Sequence, residues 1–214
     1  RGSIEDVLAG LPDVIDVVVI GDASDPRHHS WSSWVSDSPP LEYVRFGFDH
    51  PGFILFSSGT TGAPKCIVHS AAGVLLKDLA EQRIHLDIAP GDRVCYYTTA
   101  GWMMWNWLVM VLGTGATVVL ADGQPMYPEP DRLLRLVADE KLTFLGVSAK
   151  YIESLRQHLV SMAPHELASL RTMASTGSPL APELFDYVYE HVCPSVHLQR
   201  LRAAAWPRTS RPNL

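Results

Sequence analysis

The sequence predicts an α/β fold in which helices flank a mainly parallel sheet. Short apolar runs rich in β-branched residues alternate along the chain with segments whose apolar residues recur at helical spacing. The segments between successive strands are long enough to hold a crossover helix, which parallel pairing requires. With 214 residues, of which 47% are hydrophobic, the chain can bury a sizeable core. We therefore expect ligands to bind beyond the carboxyl ends of the strands.

Charge and cysteine content argue against several classes of function. The formal net charge is −6, from 17 basic and 23 acidic residues, so nucleic-acid binding is not expected. Cys66, Cys95 and Cys193 are widely spaced, which predicts free thiols in a reducing compartment, the cytosol, and neither disulfides nor a zinc site. No apolar run of about 18 residues is present, so no membrane span is predicted. The oligomeric state is not indicated.

The N-terminal part of the chain predicts a helix, a strand and a long loop. Residues 4–11 favour a short helix, and the β-branched run 14–20 favours a buried strand. Residues 22–49 are polar and contain several prolines. The adjacent histidines His28 and His29 lack a third ligand at metal-site spacing, so we interpret this segment as a solvated loop and not as a metal site.

The middle of the chain alternates strands with helices. Residues 53–57 and 94–98 predict strands, and residues 113–122 predict a turn into a buried strand. Residues 70–86 predict an amphipathic helix whose polar side carries Lys77, Asp78, Glu81 and Gln82. Another helix is predicted from Asp131, as its cap, to residue 140.

The last part of the chain continues the same alternation. Strands are predicted over residues 143–146, 170–175 and 195–198. Helices are predicted over residues 148–158, with Ser148 as the cap, and 181–191.

A loop of small and hydroxylated residues, SSGTTGAPK, follows the strand predicted over residues 53–57. Gly59 and Gly62 allow the backbone to approach a ligand closely, and Lys65 adds a compact cation. We expect a helix to begin directly after the loop and to add its free N–H groups. This combination predicts phosphate binding, although the same composition alone is also typical of a surface turn. It is not a Walker A motif, because the glycines are three residues apart and Cys66 follows Lys65.

Two further segments are candidates for function. The segment TAGWMMWNW, residues 99–107, contains three of the six tryptophans of the chain, including Trp102. Its composition suits a core helix, and it equally suits the wall of a substrate pocket. The segment STGSPL, residues 175–180, follows a predicted strand and precedes a predicted helix. Taken alone, it is an ordinary turn.

The nine residues from Ser57 to Lys65 resemble the signature loop of the adenylate-forming enzymes, a family of acyl-CoA synthetases, luciferases and peptide-synthetase adenylation domains. In that family the loop wraps the β- and γ-phosphates of ATP while a carboxylate attacks the α-phosphorus. The resemblance implies part of the N-terminal domain of the adenylate-forming fold. It also implies that the nucleotide is bound by Ser57, Ser58, Gly59, Thr60, Thr61, Gly62 and Lys65. Many members have glycine where this chain has Cys66.

The segments GWMMWNW and STGSPL resemble the branch of acyl-CoA synthetases that activates acetoacetate. This resemblance implies that Trp102 shapes the substrate pocket and that Gly177, Ser178 and Pro179 lie against the adenine ring. The implied reaction is an ATP-dependent acid–thiol ligation that converts acetoacetate, through an acyl-adenylate, to acetoacetyl-CoA. The implied co-substrates and cofactors are ATP, Mg²⁺ and coenzyme A, and the implied partners are small molecules.

The resemblance weakens near Leu198. We therefore predict a partial AMP-binding domain over residues 1–198 and a disordered basic tail, unrelated to the family, over residues 199–214, which hold four arginines and no acidic residue. The catalytic lysine of the family lies beyond this point, so no catalytic residue and no metal ligand are assigned. A central fragment without activity of its own is expected.

Three alternatives remain open. The first is a non-catalytic truncated isoform that binds nucleotide or a partner. The second is a synthetase for another short-chain acid, such as acetate. The third is a serine amidohydrolase that uses Ser57 or Ser58 with Lys65, but the second glycine–serine stretch that this chemistry needs is not visible.

Overall fold

A computed structural model describes residues 3–21, 25–36, 39–57 and 65–201. The chain divides into two compact units, residues 1–46 and residues 47–214. None of the helices in the described ranges has the length and apolar character needed to cross a bilayer. The candidate site residues all lie in the second unit.

The first unit contains two short helices and one short parallel strand pair. Helix α1 is Ser3–Ala9, strand β1 is Val18–Val19, strand β2 is His29–Ser30 and helix α2 is Trp31–Ser36. The prediction of a buried strand over residues 14–20 is wrong. Only two of its residues pair, both half-buried, and Ile15 and Ile20 are exposed, because the described elements of this unit do not cover the run.

The second unit begins with an antiparallel hairpin of strands β3, Pro51–Ser57, and β4, Lys65–Ser70. The expectation of a helix directly after the loop is wrong, because β4 intervenes and helix α3, Ala71–Ala80, begins only after it. The apolar residues on one face of this hairpin are exposed. We call this surface the apolar hairpin face, and it consists of Ile54, Phe56, Cys66 and Val68.

Helix α3 continues into a π-helical turn, Glu81–His85. The predicted helix over residues 70–86 is thus confirmed, but its polar side is not all solvated. Asp78 and Gln82 are fully buried, although the sequence placed both on the polar side of the helix. They are buried because α3 packs against the helix that follows the next strand, and the two helices contact each other on that side.

The five remaining strands form one sheet, and every pairing in it is parallel. They are β5, Arg93–Tyr96; β6, Thr117–Val118; β7, Phe144–Ser148; β8, Thr172–Thr176; and β9, His197–Arg200. Their order across the sheet is β6-β5-β7-β8-β9. The predicted parallel sheet is therefore confirmed, although β6 is a two-residue edge strand and not the buried strand that residues 113–122 predicted.

Helices cover both faces of this sheet. They are α4, Met103–Met110; α5, Arg132–Asp139; α6, Ala149–Gln157; and α7, Pro182–Tyr187. Helix α4 packs with one set of strand side chains, including Tyr96 and Phe144, and helices α5 to α7 pack with the opposite set, including Leu145 and Met173. Alternate residues of a strand point to opposite faces, so both faces are apolar.

Local sequence signals explain how these helices begin. Ser148 caps α6, since its Oγ accepts a hydrogen bond from the backbone N–H of Tyr151 at 3.1 Å, as predicted. Asp131 precedes α5 as predicted, but its carboxylate accepts a hydrogen bond from Arg135 and does not cap the helix. Strand β9 runs to Arg200, and residues 202–214 lie outside the described residues, so the predicted boundary after residue 198 and the predicted tail remain predictions.

Candidate functional site

The order of the strands locates a ligand crevice independently of any motif. From β5 the chain continues to β6 at the edge of the sheet, and helix α4 in this connection packs on one face. From β6 it returns past β5 to β7, and helix α5 in this connection packs on the opposite face. A sheet of this kind has a topological switch point between β5 and β7, and ligands bind outside the carboxyl ends of the strands there. The segments that follow β5, β7 and β8 therefore form the candidate site.

The segment after β5 contains two tryptophans, Trp102 and Trp107, that differ in solvent exposure. Trp102 adopts an extended conformation immediately before α4 and is 71% exposed. Trp107, in the middle of α4, is 1% exposed, and its ring packs edge-on against the ring of Tyr96, with centroids 5.7 Å apart. The core interpretation is thus correct for Trp107, whereas Trp102 is exposed in the segment after β5, and its predicted role in the substrate pocket stays a prediction.

The segment after β8 presents exposed backbone at the same edge of the sheet. Gly177 has a φ of +91°, a conformation that favours glycine, and it is exposed together with Ser178 and Pro179. Thr176 Oγ1 donates a hydrogen bond to the carbonyl oxygen of Leu201 at 3.0 Å and ties the end of β8 to the segment after β9. Neighbouring strands lie about 4.8 Å apart, so the ends of β5 and β8 are separated by roughly 10 Å.

Most of the predicted phosphate loop lies outside the described residues. These are Ser58, Gly59, Thr60, Thr61 and Gly62, with Ala63 and Pro64. The structure describes the strands on either side, in which Ser57 pairs with Lys65 across the hairpin. Lys65 is exposed. The contacts predicted for the loop with phosphate therefore remain predictions.

Lys150 is a residue that the motif analysis missed. It lies in the first turn of α6, directly after β7, and β7 is the strand between those that lead to Trp102 and Gly177. Side chains in a helix point back toward its amino end, so Lys150 is directed toward the carboxyl edge of the sheet. Its side chain is exposed. Lys150 is assigned to the crevice only because β7 lies between β5 and β8 in the sheet. A sequence motif carries no information on this order of strands, so the motif analysis did not identify Lys150.

The Cys95 thiol and the Tyr96 phenol, in the strand that leads to the crevice, are unreactive as nucleophiles. Burial raises the pKa of the Cys95 thiol to about 11, and it raises the pKa of the Tyr96 phenol well above its usual value. Both groups are therefore neutral near pH 7 and cannot supply a nucleophilic anion. Among the described residues, no cluster of three or more His, Cys, Asp or Glu side chains is arranged to hold a metal ion. Mg²⁺ is usually held by one or two carboxylates together with substrate phosphates and water, so the predicted magnesium cofactor stays a prediction.

Comparison with known proteins gives consistent matches along almost the entire chain. Residues 3–200 match a family model described as AMP-binding enzyme. The chain is 52% identical over 160 residues to acetoacetyl-coenzyme A synthetase of Rhizobium meliloti (strain 1021), a match that covers 74% of this chain and 25% of that protein. It is 44% identical over 207 residues to acetoacetyl-CoA synthetase of Gallus gallus, with 90% of this chain and 31% of that protein covered.

Solved structures give the same result. The acetoacetyl-CoA synthetase of Streptomyces lividans superposes with a TM-score of 0.82 at 34% identity, covering 92% of this chain and 32% of that one. A luciferase-like enzyme from the mealworm Zophobas morio superposes with a TM-score of 0.68 at 22% identity and shares the fold. This chain thus spans between a quarter and a third of the length of the curated relatives it matches.

Proposed function

Because this chain belongs to the AMP-binding enzyme family, we propose that it is the nucleotide-binding part of an AMP-forming acid–CoA ligase that activates acetoacetate. The strongest support is the 52% identity to a protein named acetoacetyl-coenzyme A synthetase. The crevice at the β5–β7 switch point supports the same proposal, because it has the position that ligands take in such sheets.

The proposed chemistry has two steps. The carboxylate of acetoacetate attacks the α-phosphorus of ATP, forming an acyl-adenylate and releasing pyrophosphate. The thiolate sulfur of coenzyme A then attacks the acyl carbon, forming the thioester and releasing AMP. Both steps concentrate negative charge, so the principal task of the protein is electrostatic stabilisation and positioning.

The role of the loop residues comes from the family, and that of the segment after β8 also from its place at the carboxyl edge of the sheet. The loop from Ser57 to Gly62 holds the phosphates that leave as pyrophosphate, and Lys65 adds positive charge at its end. Gly177, Ser178 and Pro179 offer an exposed, turned backbone against which the adenine ring lies. These nucleotide contacts are inferred from the family and from the location of the segments.

The acid substrate lies at the switch point itself. Trp102 provides an exposed aromatic wall there. Lys150 places a cation at the same edge, which favours an anionic acid over a neutral one. Mg²⁺, when bound, would neutralise phosphate charge, and we assign it no ligand among the described residues.

The proposal is tested by acetoacetate-dependent release of pyrophosphate and by nucleotide binding. We expect calorimetry to show weak ATP binding by the 214-residue chain, and no measurable turnover, because the matched region covers only 25% to 31% of the length of the relatives. The Streptomyces lividans protein is the positive control for both measurements. Gly177→Ala should weaken ATP binding by forcing a side chain into a left-handed backbone conformation, whereas Ser178→Ala should have a smaller effect.

The alternatives predict different results in the same assays. Formation of acetyl-CoA in preference to acetoacetyl-CoA would assign the chain to another short-chain acid. ATP binding without turnover, unchanged when the missing parts of a relative are added in trans, would favour a non-catalytic isoform. Absence of any ATP binding would contradict the nucleotide-binding role, and amide hydrolysis that depends on Lys65 would favour the amidohydrolase.

A further inference from the structure

Helix α3 contains a carboxyl group that is fully buried and poorly compensated. No part of Asp78 is exposed, and neither of its oxygens accepts a well-directed hydrogen bond from a described residue. Lys77 Nζ lies 3.3 Å from Asp78 Oδ1 as an ion pair, and Lys77 also pairs with Glu81. A buried ionised carboxylate with one shared cation is costly, because desolvation outweighs a single ion pair.

One turn further along, Gln82 is also fully buried and is only half satisfied. Its Nε2 donates a hydrogen bond to the carbonyl oxygen of Trp107 at 2.9 Å, which joins α3 to α4. Its Oε1 accepts no hydrogen bond from a described residue. Residues four apart on a helix lie about 5–6 Å apart at Cβ, so the carboxyl group of Asp78 is within reach of this amide oxygen.

The charged groups around Asp78 are few. On its own helix they are Lys77, which favours the ionised form, and Glu81, which disfavours it. Helix α4 and the turn after it, residues 103–114, carry no titratable side chain, and neither does β3, residues 51–57. Strand β4 contributes Lys65, Cys66 and His69.

We propose that Asp78 is a proton-dependent positioning residue that controls how firmly Gln82 holds helix α4. In its protonated form, the Asp78 hydroxyl donates to Gln82 Oε1, so that both unsatisfied oxygens gain a partner. Such a chain of hydrogen bonds polarises the amide and strengthens its bond to the carbonyl of Trp107. In its ionised form, a negative carboxylate faces an amide oxygen, and the two repel each other.

The position of α4 matters because Trp102 immediately precedes this helix and α3 follows directly from β4 at the end of the phosphate-loop hairpin. The Asp78–Gln82–Trp107 link therefore connects the two sides of the candidate site through the protein interior. Its importance for substrate binding rests on the proposed function, but the link itself is testable without any substrate.

Burial raises the pKa of Asp78 to about 6, which places the transition in an accessible range. Because the folded state binds this proton more tightly than the unfolded state, its stabilising effect is complete below pH 3.8 and is lost as the pH rises to about 6. Across this window the unfolding equilibrium constant of the natural chain should rise on the order of 100-fold relative to that of Asp78→Asn.

The experiment compares the natural chain with Asp78→Asn and Gln82→Met by urea denaturation between pH 4 and pH 8. The asparagine NH₂ donates to Gln82 Oε1 at every pH, so we expect Asp78→Asn to be the more stable protein at pH 8. Gln82→Met should keep the pH-dependence that burial imposes but lose the bond to Trp107. Tryptophan fluorescence should change with a midpoint near pH 6 in the natural chain only.

Infrared difference spectroscopy gives a readout that does not depend on stability. A protonated buried carboxylic acid has a carbonyl stretch that disappears on ionisation, and Asp78→Asn should remove this band while Glu81→Gln should retain it. Two results would overturn the inference: a less stable Asp78→Asn at pH 8, which indicates an essential ionised Asp78–Lys77 pair, or the absence of a band that depends on Asp78.

Discussion

The ring of Tyr96 lies across Gly146 on the neighbouring strand. The two residues are direct partners in the register of β5 and β7, and a Cβ on Gly146 would fall 2.0 Å from Cδ2 of the ring. The ring of Trp107 packs against the same tyrosine. Because residue 146 has no side chain, the rings of Tyr96 and Trp107 can pack together and hold α4 against the sheet beside the switch point.

Gly146→Ala should destabilise the protein by about 1–3 kcal/mol or more, because a buried tyrosine must leave its position to admit one methyl group. Urea denaturation measures this change. Gly47→Ala is the matched control, since nothing lies within 4 Å of a Cβ there, and its effect should stay within about 0.5 kcal/mol. Equal stability of the two variants would contradict the close packing of Tyr96.

Truncation of two tryptophans in one segment should change the free energy of unfolding by very different amounts. Trp107→Ala removes a fully buried ring and should lower the free energy of unfolding by about 3–5 kcal/mol. Trp102→Ala removes an exposed ring and should change it by only about 0.5 kcal/mol. Each variant is the control for the other in urea denaturation. A large loss of stability in Trp102→Ala would assign this residue to the core instead of the crevice rim.

The three thiols should differ sharply in reactivity. Cys66 is exposed, whereas Cys95 and Cys193 are buried, and burial raises the pKa of Cys95 to about 11. An aromatic disulfide reagent at neutral pH should therefore modify one thiol quickly and the other two only as the protein unfolds. Cys66→Ser should abolish the fast phase. A fast phase that persists in this variant would show that the sheet core opens readily.

The apolar hairpin face should bind a hydrophobic dye. Ile54, Phe56 and Val68 are each at least half exposed on adjacent strands, which forms a continuous apolar surface. Phe56→Lys should reduce dye fluorescence with little change in stability, since the ring it removes is 71% exposed. Leu159→Lys, at an exposed position outside the apolar hairpin face, is the control and should leave the dye signal unchanged. An equal loss in both variants would show that the dye binds elsewhere.

Local sequence patterns were sufficient to predict most helices and the parallel sheet, because helical periodicity and capping are properties of neighbouring residues. Ser148 is a clear case, since its hydroxyl caps α6 as expected. Long-range partners were not predictable in the same way. The run 14–20 has strand composition but finds only a two-residue partner, and β4 was missed because its apolar run is short and follows a loop typical of a helix start.

The candidate site was predictable from the sequence only where its residues belong to local motifs. Trp102 and Gly177 were assigned to the site from motifs, an assignment that stays a prediction, whereas Lys150 is proposed for the site only from the order of the strands. Asp78 was assigned to the polar side of its helix, and its burial was not predicted, because the packing of α4 against that side depends on tertiary structure. Chemistry that depends on burial therefore requires the fold to be known.

The contrast between the hairpin and the sheet has a kinetic consequence. Strands β3 and β4 are joined by a short loop, so their pairing needs little loop-closure entropy and can form in about 1–10 μs. Val94 pairs with Phe144 across a long segment of chain that contains α4, β6 and α5. Contacts between residues this far apart in sequence form slowly, so the sheet assembles after the hairpin. During that interval an apolar ribbon with two free edges is available to another copy of the chain. The yield of refolding therefore depends on the competition between assembly of the sheet within one chain and association of hairpins from two chains. Dilution slows the association and should raise the yield.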